Sequence, residues 1–434
     1  MPSNVIVGLQ WGDEGKGKIT NLLSKNSDYV IRYQGGNNSG HSIHIKNSYF
    51  ILHLIPSGVV YPNVKCLIGP GVVVDPKYLI KEIKKLQSIG IDTTRIFLSK
   101  RAHVTLPYHR LLDKYKEEFL GKNSIGTTHC GVGPTYEDKI ARIGIRISDL
   151  LNPKIFYKKL KYNIYLKNKI FVKIYKKPKI SFNYVYEKYM EYAKYLTNRA
   201  IDAVYEIHNA FKKKKRILFE GAQATLLDVD YGTYPYVTSS SSFTGGVCIG
   251  TGIPPNFLKN FLGIAKSYCT RVGNGPFPTE IIEDNLSNKI RKKGNEYGST
   301  TKRPRRCGWL DLVALKYSCC INGINYLIIT KLDVLSILES IKVCIKYKIN
   351  GNIINYYPSD IYSKKIECIW KKFPGWNKKI SNIKKYNELP KNCKKYINFI
   401  ENYLDLKIPL ISVGTERNQN IIKCKSLFFK NIIL

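Results

Sequence analysis

The residues that most restrict what this chain can fold into lie at its start. Val5-Ile6-Val7 is an apolar run of the kind a buried strand shows, and Ile19-Thr20-Asn21-Leu22-Leu23 reads as the first turns of a helix. Between them stands Gly12-Asp13-Glu14-Gly15-Lys16-Gly17-Lys18. A strand, a glycine-rich turn and a helix make an anion cradle, because free backbone N–H groups and the helix N-terminus face one point. Gly12, Gly17 and Lys18 fit the G-x-x-x-x-G-K spacing, and Lys16 and Lys18 would counter phosphate charge. Ile19 breaks the pattern, which wants Ser or Thr on a magnesium ion. Asp13 is a second irregularity, since a carboxylate beside phosphate needs a metal or a transferable proton to compensate it.

Further signals extend this beginning into an α/β fold. Tyr29 to Tyr33 reads as a second strand, ending in the loop Gln34-Gly35-Gly36-Asn37-Asn38-Ser39-Gly40-His41. Two glycine-rich loops after two early strands point to one ligand approached from both sides, beyond the carboxyl ends of a parallel sheet. Ser42–Lys46 and Tyr49–Leu54 flank an expected hairpin turn at Asn47-Ser48. Asp75-Pro76 is a helix start, with apolar residues at helical spacing after it. Residues 125–138 are polar and glycine-rich and are expected to form a binding loop, followed by Arg142 and Arg146. Core strands are expected at Ile96–Leu98, Ile217–Phe219, Tyr326–Thr330 and Pro409–Ile411.

The expected architecture is a large, mostly parallel central sheet with a variant phosphate-binding loop, flanking helices and appended, mainly helical subdomains. The chain is read as one elaborated catalytic domain over 1–434. Its parts are 1–150 with the phosphate and second glycine-rich loops, an appended helical segment 153–216, and a core part 217–340. A peripheral Lys/Asn-rich segment with the last core strand follows over 341–434. The 434 residues are 44% hydrophobic, ample for a sizeable core.

The net charge of +38, from 70 Lys+Arg against 32 Asp+Glu, raises nucleic-acid binding as one possibility. The lysines thicken in outlying stretches, so they are read as a solvated face instead. Eleven scattered cysteines without a C-x-x-C pair fit reduced thiols of a cytoplasmic protein. No signal-peptide pattern or run of membrane-spanning length is evident.

Several residues carry chemistry. Thr330-Lys331-Leu332-Asp333 ends a core strand, and its aspartate can accept two hydrogen bonds that guanine offers and adenine does not. Ser412-Val413-Gly414 could close over the base from the next strand. Asp13 can hold Mg²⁺ or act as a base, and His41 in the facing loop can donate to a phosphoryl oxygen. Gly298 to Arg306 is a small-polar and basic loop, a candidate anion clamp in which Arg303 and Arg305 alternate.

These strings, with Phe219-Glu220-Gly221-Ala222-Gln223, Gly232 to Ser240, Thr270 to Gly273 and Gly275 to Glu280, resemble the adenylosuccinate synthetase family from Val5 to about Gly414. The resemblance implies a GTP- and Mg²⁺-dependent ligase that joins IMP to L-aspartate. The products would be adenylosuccinate, GDP and phosphate, formed through 6-phosphoryl-IMP in the first committed step from IMP to AMP. It implies Asp13 as base and metal ligand, with the Gly40 carbonyl as second metal ligand and His41 as stabiliser of the transferring phosphate. GTP would be held by Gly12, Gly15, Lys16, Gly17, Lys18, Gly40, His41, Ser42, Arg305, Lys331, Leu332, Asp333, Ser412, Val413 and Gly414. IMP would be held by Asp13, Glu14, Gly15, Lys16, Asn38, Ser39, Gly40, His41, Thr128, Gln223, Thr238 and Arg303, with Arg142 reaching across a homodimer interface. The loop Ser299-Thr300-Thr301-Lys302-Arg303-Pro304-Arg305 would bind aspartate. The chain departs from the family pattern at Asn37, where His is common, at His129-Cys130 in place of Gly-Arg, and at Pro304. A regulatory GTPase and a nucleic-acid-binding module are the alternatives; GTP turnover without IMP and aspartate would mark the first, and salt-steep RNA affinity the second.

Overall fold

The computed structural model describes residues 3–45, 48–298 and 303–423. Ten strands form the central sheet: β1 (Ser3–Gly8), β2 (Tyr29–Arg32), β3 (Lys65–Ile68), β4 (Ile96–Ser99), β5 (Ala200–Ile201), β6 (Ile217–Glu220), β7 (Asn260–Lys266), β8 (Tyr326–Thr330), β9 (Lys407–Ser412) and β10 (Asn420–Ile422). Their order across the sheet is β10-β9-β8-β7-β1-β6-β2-β3-β4-β5, parallel throughout except β10. β1 is central, between β6 and β7, and every one of its residues is buried. A parallel strand covered on both faces needs this continuous apolar run.

Successive residues of β1 serve opposite faces, as the strand's two-residue period requires. Ile6 joins one hydrophobic cluster with Ile19 and Leu23 of α1 (Lys16–Ser24). Val5 and Val7 join the other, with Phe219, Leu312 and Leu315. The order in which strands are added reverses about β1, so the loops leaving its carboxyl end open onto the crevice where ligands bind in such sheets.

Several expectations are met locally. Asp75 caps α2 (Pro76–Gln87) by accepting from the Lys77 and Tyr78 amides. The hairpin strands are His41–Ile45 and Ser48–Leu52, so Ser48 of the expected turn opens the second strand, while Asn47 of that turn and Lys46 before it lie outside the described residues.

Others change. The expected loop over 125–138 is a loop only to Gly131; Val132–Ile140 is helix α4, and Gly131 enters it at φ 74°. Pro134 falls in its first turn, where a missing N–H costs nothing. The segment 153–216 is helical, with helices Pro153–Lys173, Phe182–Leu196 and Ala203–Lys212. Phe156, Leu160, Tyr189 and Leu196 nevertheless share one cluster with Ile68 and Leu98 of the sheet. The described part of the expected peripheral segment, 341–423, also contributes to the core. Strand Ser340–Ile349 pairs with Glu367–Pro374, and helix Lys391–Leu404 buries Tyr396, Ile397 and Ile400 against the second face. Its lysines occupy the outward positions and masked its inward stripe.

Candidate active site

The loops at the carboxyl ends of the strands enclose a cleft of about 680 Å³. The phosphate loop supplies Gly12, Asp13, Gly15, Lys16, Gly17 and Lys18 to its wall. Asp13 has φ 60° and Gly15 φ 81°, so the loop turns through left-handed backbone on either side of Glu14. Asp accepts that region better than most residues, and Gly freely. Glu14 does not face the cleft. It is fully buried and accepts from the Gln10 and Gly12 amides at 3.1 and 2.9 Å, and from Lys16 Nζ at 2.6 Å. A Cβ on Gly8 would stand 2.4 Å from that carboxylate, so the strand must end in glycine for the brace to fit.

The second glycine-rich loop brings Asn38, Ser39, Gly40 and His41 to the facing wall. His41 Nδ1 bonds the Glu220 carboxylate, which also accepts from the Ser57 amide and hydroxyl at 2.8 and 2.6 Å. Burial pulls the His41 ring below its ordinary value, against the opposing pull of Glu220. Burial also opposes ionisation of Glu220, but His41 and Ser57 together hold its carboxyl below the usual range. The ring therefore directs an Nδ1 proton at Glu220, and Glu220 is placed to stabilise the imidazolium when an anion meets Nε2. That Nε2 is buried and has no hydrogen-bond partner among the described residues.

Gln223 donates to Asn38 Oδ1 at 2.9 Å, and Thr128 and Thr238 complete this end of the cleft. The amides of Ile125, Gly126 and Thr127 donate to the Glu117 carboxylate at 3.1, 2.7 and 3.0 Å, which fixes the Thr128 loop to α3 (Pro107–Leu120).

At the opposite end, Lys331, Asp333, Ser412 and Gly414 line the wall. Lys18 Nζ donates to Ser412 Oγ, the Gly414 carbonyl and the Gln419 carbonyl at 2.7, 2.8 and 3.1 Å. The expected phosphate lysine is thus tied to the loop expected to hold the base. Burial lowers Lys18 to about 8 despite the nearby Asp333. Burial likewise raises Asp333, against the pull of Lys331 and Lys18. Leu332 and Val413 are core residues, so only their backbones are available to a ligand.

Arg305 Nε lies 2.8 Å from Asp13 Oδ2 as a close ion pair, and its Nη1 donates to Glu296 Oε2 at 2.6 Å. Glu296 escaped the sequence reading, as did its buried partner Lys266. Burial lowers Lys266 to about 8, against the attraction of Glu296. No motif marks either residue; only an ionisable group at the end of an apolar strand could have drawn attention to Lys266. Glu220 was visible within its motif as an acid closing an apolar strand. Arg271, also missed as a site residue, lines the cleft while binding the Asn274, Pro276 and Tyr236 carbonyls.

Arg142, Arg303 and Pro304 are exposed and stand off the cleft wall, with Arg142 at φ 62°. Ser299, Thr300, Thr301 and Lys302 lie outside the described residues, as does the side chain of Ser42. Asn37 is buried, and neither atom of its carboxamide has a partner among the described residues. His129 is exposed and off the wall, and Cys130 is half-buried near the Asn37 carbonyl.

The fold and the cleft define an α/β enzyme with a phosphate loop, its ligand site at the switch point of a parallel sheet. A family model described as adenylosuccinate synthetase matches residues 5–421. Adenylosuccinate synthetases of Desulforamulus reducens and Clostridium kluyveri are each 49% identical, over 97% of this chain and 99% of theirs. The solved structure of the fully ligated adenylosuccinate synthetase from Plasmodium falciparum matches with a TM-score of 0.92 at 40% identity, covering 98% of this chain and 100% of that one. The chain belongs to the adenylosuccinate synthetase family and, by that membership, is a ligase. No described helix is long and apolar enough to cross a membrane.

Proposed function

We propose that this enzyme condenses IMP with L-aspartate at the expense of GTP, giving adenylosuccinate, GDP and phosphate, the first committed step from IMP to AMP. The observation that carries the reading is the meeting of three parts in one cleft: Asp13, the His41–Glu220 pair, and the Lys331/Asp333/Ser412 strand ends. Asp13 takes the N1 proton of IMP, and O6 attacks the γ-phosphorus of GTP as GDP leaves. The His41 imidazolium, held by Glu220, donates from Nε2 to the phosphoryl oxygens as charge develops. The aspartate amine then attacks C6 of 6-phosphoryl-IMP, and phosphate departs.

Asn38, Thr128, Gln223 and Thr238 orient IMP, while Asp333 accepts from the guanine N1–H and amino group. The donor set fits Mg²⁺, a hard cation that takes one or two protein oxygens together with substrate phosphates. Asp13 and the Gly40 carbonyl are the oxygens offered here, both on the cleft wall. Bound there, the ion supplies charge stabilisation to the phosphates. Arg303 and the residues 299–302 hold aspartate. A homodimer, with Arg142 reaching the partner's IMP, accounts for the exposed left-handed arginine that stands off its own cleft. The cytoplasm is the proposed location. An assay omitting GTP, IMP, aspartate and Mg²⁺ in turn tests the reading. Product should need all four, and GTP turnover equally fast without IMP and aspartate would point to a GTPase instead.

A further inference from the structure

We propose that Glu296 is a positioning residue that joins the base end of the cleft to Asp13. The inference rests on the nucleotide reading above, in which Lys331 and Asp333 hold the guanine. Glu296 is fully buried and meets three cations with one carboxylate. Its two oxygens divide the work. Oε2 accepts from Arg305 Nη1 at 2.6 Å, and Arg305 in turn sets Nε against Asp13. Oε1 accepts from Lys331 Nζ at 2.8 Å and from Tyr268 Oη at 2.5 Å. Lys266 Nζ spans both oxygens at 3.2 and 3.1 Å.

Lys331 adopts φ 56° at the head of the turn that presents Asp333, and it also donates to the Gly294 carbonyl at 2.7 Å. A continuous chain of contacts therefore runs from the Asp333 turn through Lys331, Glu296 and Arg305 to Asp13. A buried ion cluster adds little stability beyond what an apolar replacement of similar volume would give. Fixed geometry is what one carboxylate shared among three cations provides. Without it, Arg305 is free to turn wholly onto Asp13, and Lys331 loses one of its two anchors. Glu296 thus sets how firmly Arg305 engages Asp13, and it links that contact to occupancy of the base site.

The test is Glu296→Gln in the full-length enzyme, with steady-state kinetics and calorimetric GDP binding with and without IMP. The expected result is a kcat lower by about tenfold or more, the size seen when a supporting contact is lost. The KM for GTP rises while that for IMP holds. IMP tightens GDP binding about fivefold or more in the wild type and not in the variant. Glu296→Asp should restore part of both effects. If Glu296→Gln does not fold, Glu296→Gln with Lys266→Met keeps the charge of the cluster and should show the same kinetic split.

A folded variant with wild-type kcat and GTP KM overturns the proposal. A loss that follows only the folded fraction, with GDP binding per folded molecule unchanged, does so too. Asp333→Asn is measured alongside. If it raises the GTP KM while Glu296→Gln does not, only the positioning role fails. If Asp333→Asn leaves the GTP KM unchanged, the base-site reading fails and the proposal with it.

Discussion

The two ends of the cleft are built on opposite plans. At the His41 end, two cleft-lining residues carry buried polar atoms without partners among the described residues: His41 Nε2 and Gln223 Oε1. At the Lys331 end the two cleft lysines and Glu296 already have protein partners. Lys18 has three acceptors, Lys331 has two, and Glu296 holds three cations and a tyrosine. A buried polar atom without a partner costs about 1–3 kcal/mol, so the first end stores binding free energy for a polar ligand. The second end is already rigid, and a nucleotide there must exchange existing contacts for its own. One end is suited to strengthening contacts as charge develops, and the other to selecting and holding.

Substitutions can break this contrast, beginning with the largest effect. Asp13→Asn removes the base, and adenylosuccinate formation should fall by about 10³–10⁴ while GDP binding persists in calorimetry. A variant keeping most of its rate would remove Asp13 from that role. His41→Asn should lower kcat by about 10²–10³, because a donor aimed at developing charge is lost. Glu220→Gln should lower it by about 10–100-fold with little change in either nucleotide KM, since it acts through His41. Equal loss in the two nucleotide KM values would instead make Glu220 a general support of the fold.

Asp333→Asn should raise the KM for GTP by about 10–100-fold and relax selection against other purine nucleotides, as measured by competition. The smallest effect is one of pH. Lys18 is lowered to about 8 by burial, so its charge is complete below that pH and lost as pH rises through it. The kcat/KM for GTP, which reports the free enzyme, should decline a few-fold above about pH 8. Lys18→Arg should flatten that decline, because a guanidinium stays charged. A profile that falls equally in both variants would place the titrating group elsewhere.

The sequence alone determined the phosphate loop, the second glycine-rich loop, the strand ends carrying Lys331 and Ser412, and the α/β class. Each is a local pattern: an apolar run, a glycine where the backbone must turn, an acid or lysine at a fixed spacing. It also carried the family through motifs spread over most of the chain. Local patterns fail where inward and outward residues are mixed by composition. The strand Ser340–Ile349 looks peripheral as text, yet buries Tyr347 completely.

Tertiary structure decided the rest, because ion pairs between distant residues have no period and no spacing. Glu296 meets Lys266, Arg305 and Lys331 only through the folded sheet. Lys18 reaches Ser412 across 394 positions of chain, and His41 reaches Glu220 across 179. Asp13, which the sequence singled out by its odd place among glycines, takes its partner Arg305 from a loop nearly three hundred residues away. A parallel sheet brings the carboxyl ends of strands remote in sequence to one edge, and that edge is where the chemistry of this chain is assembled.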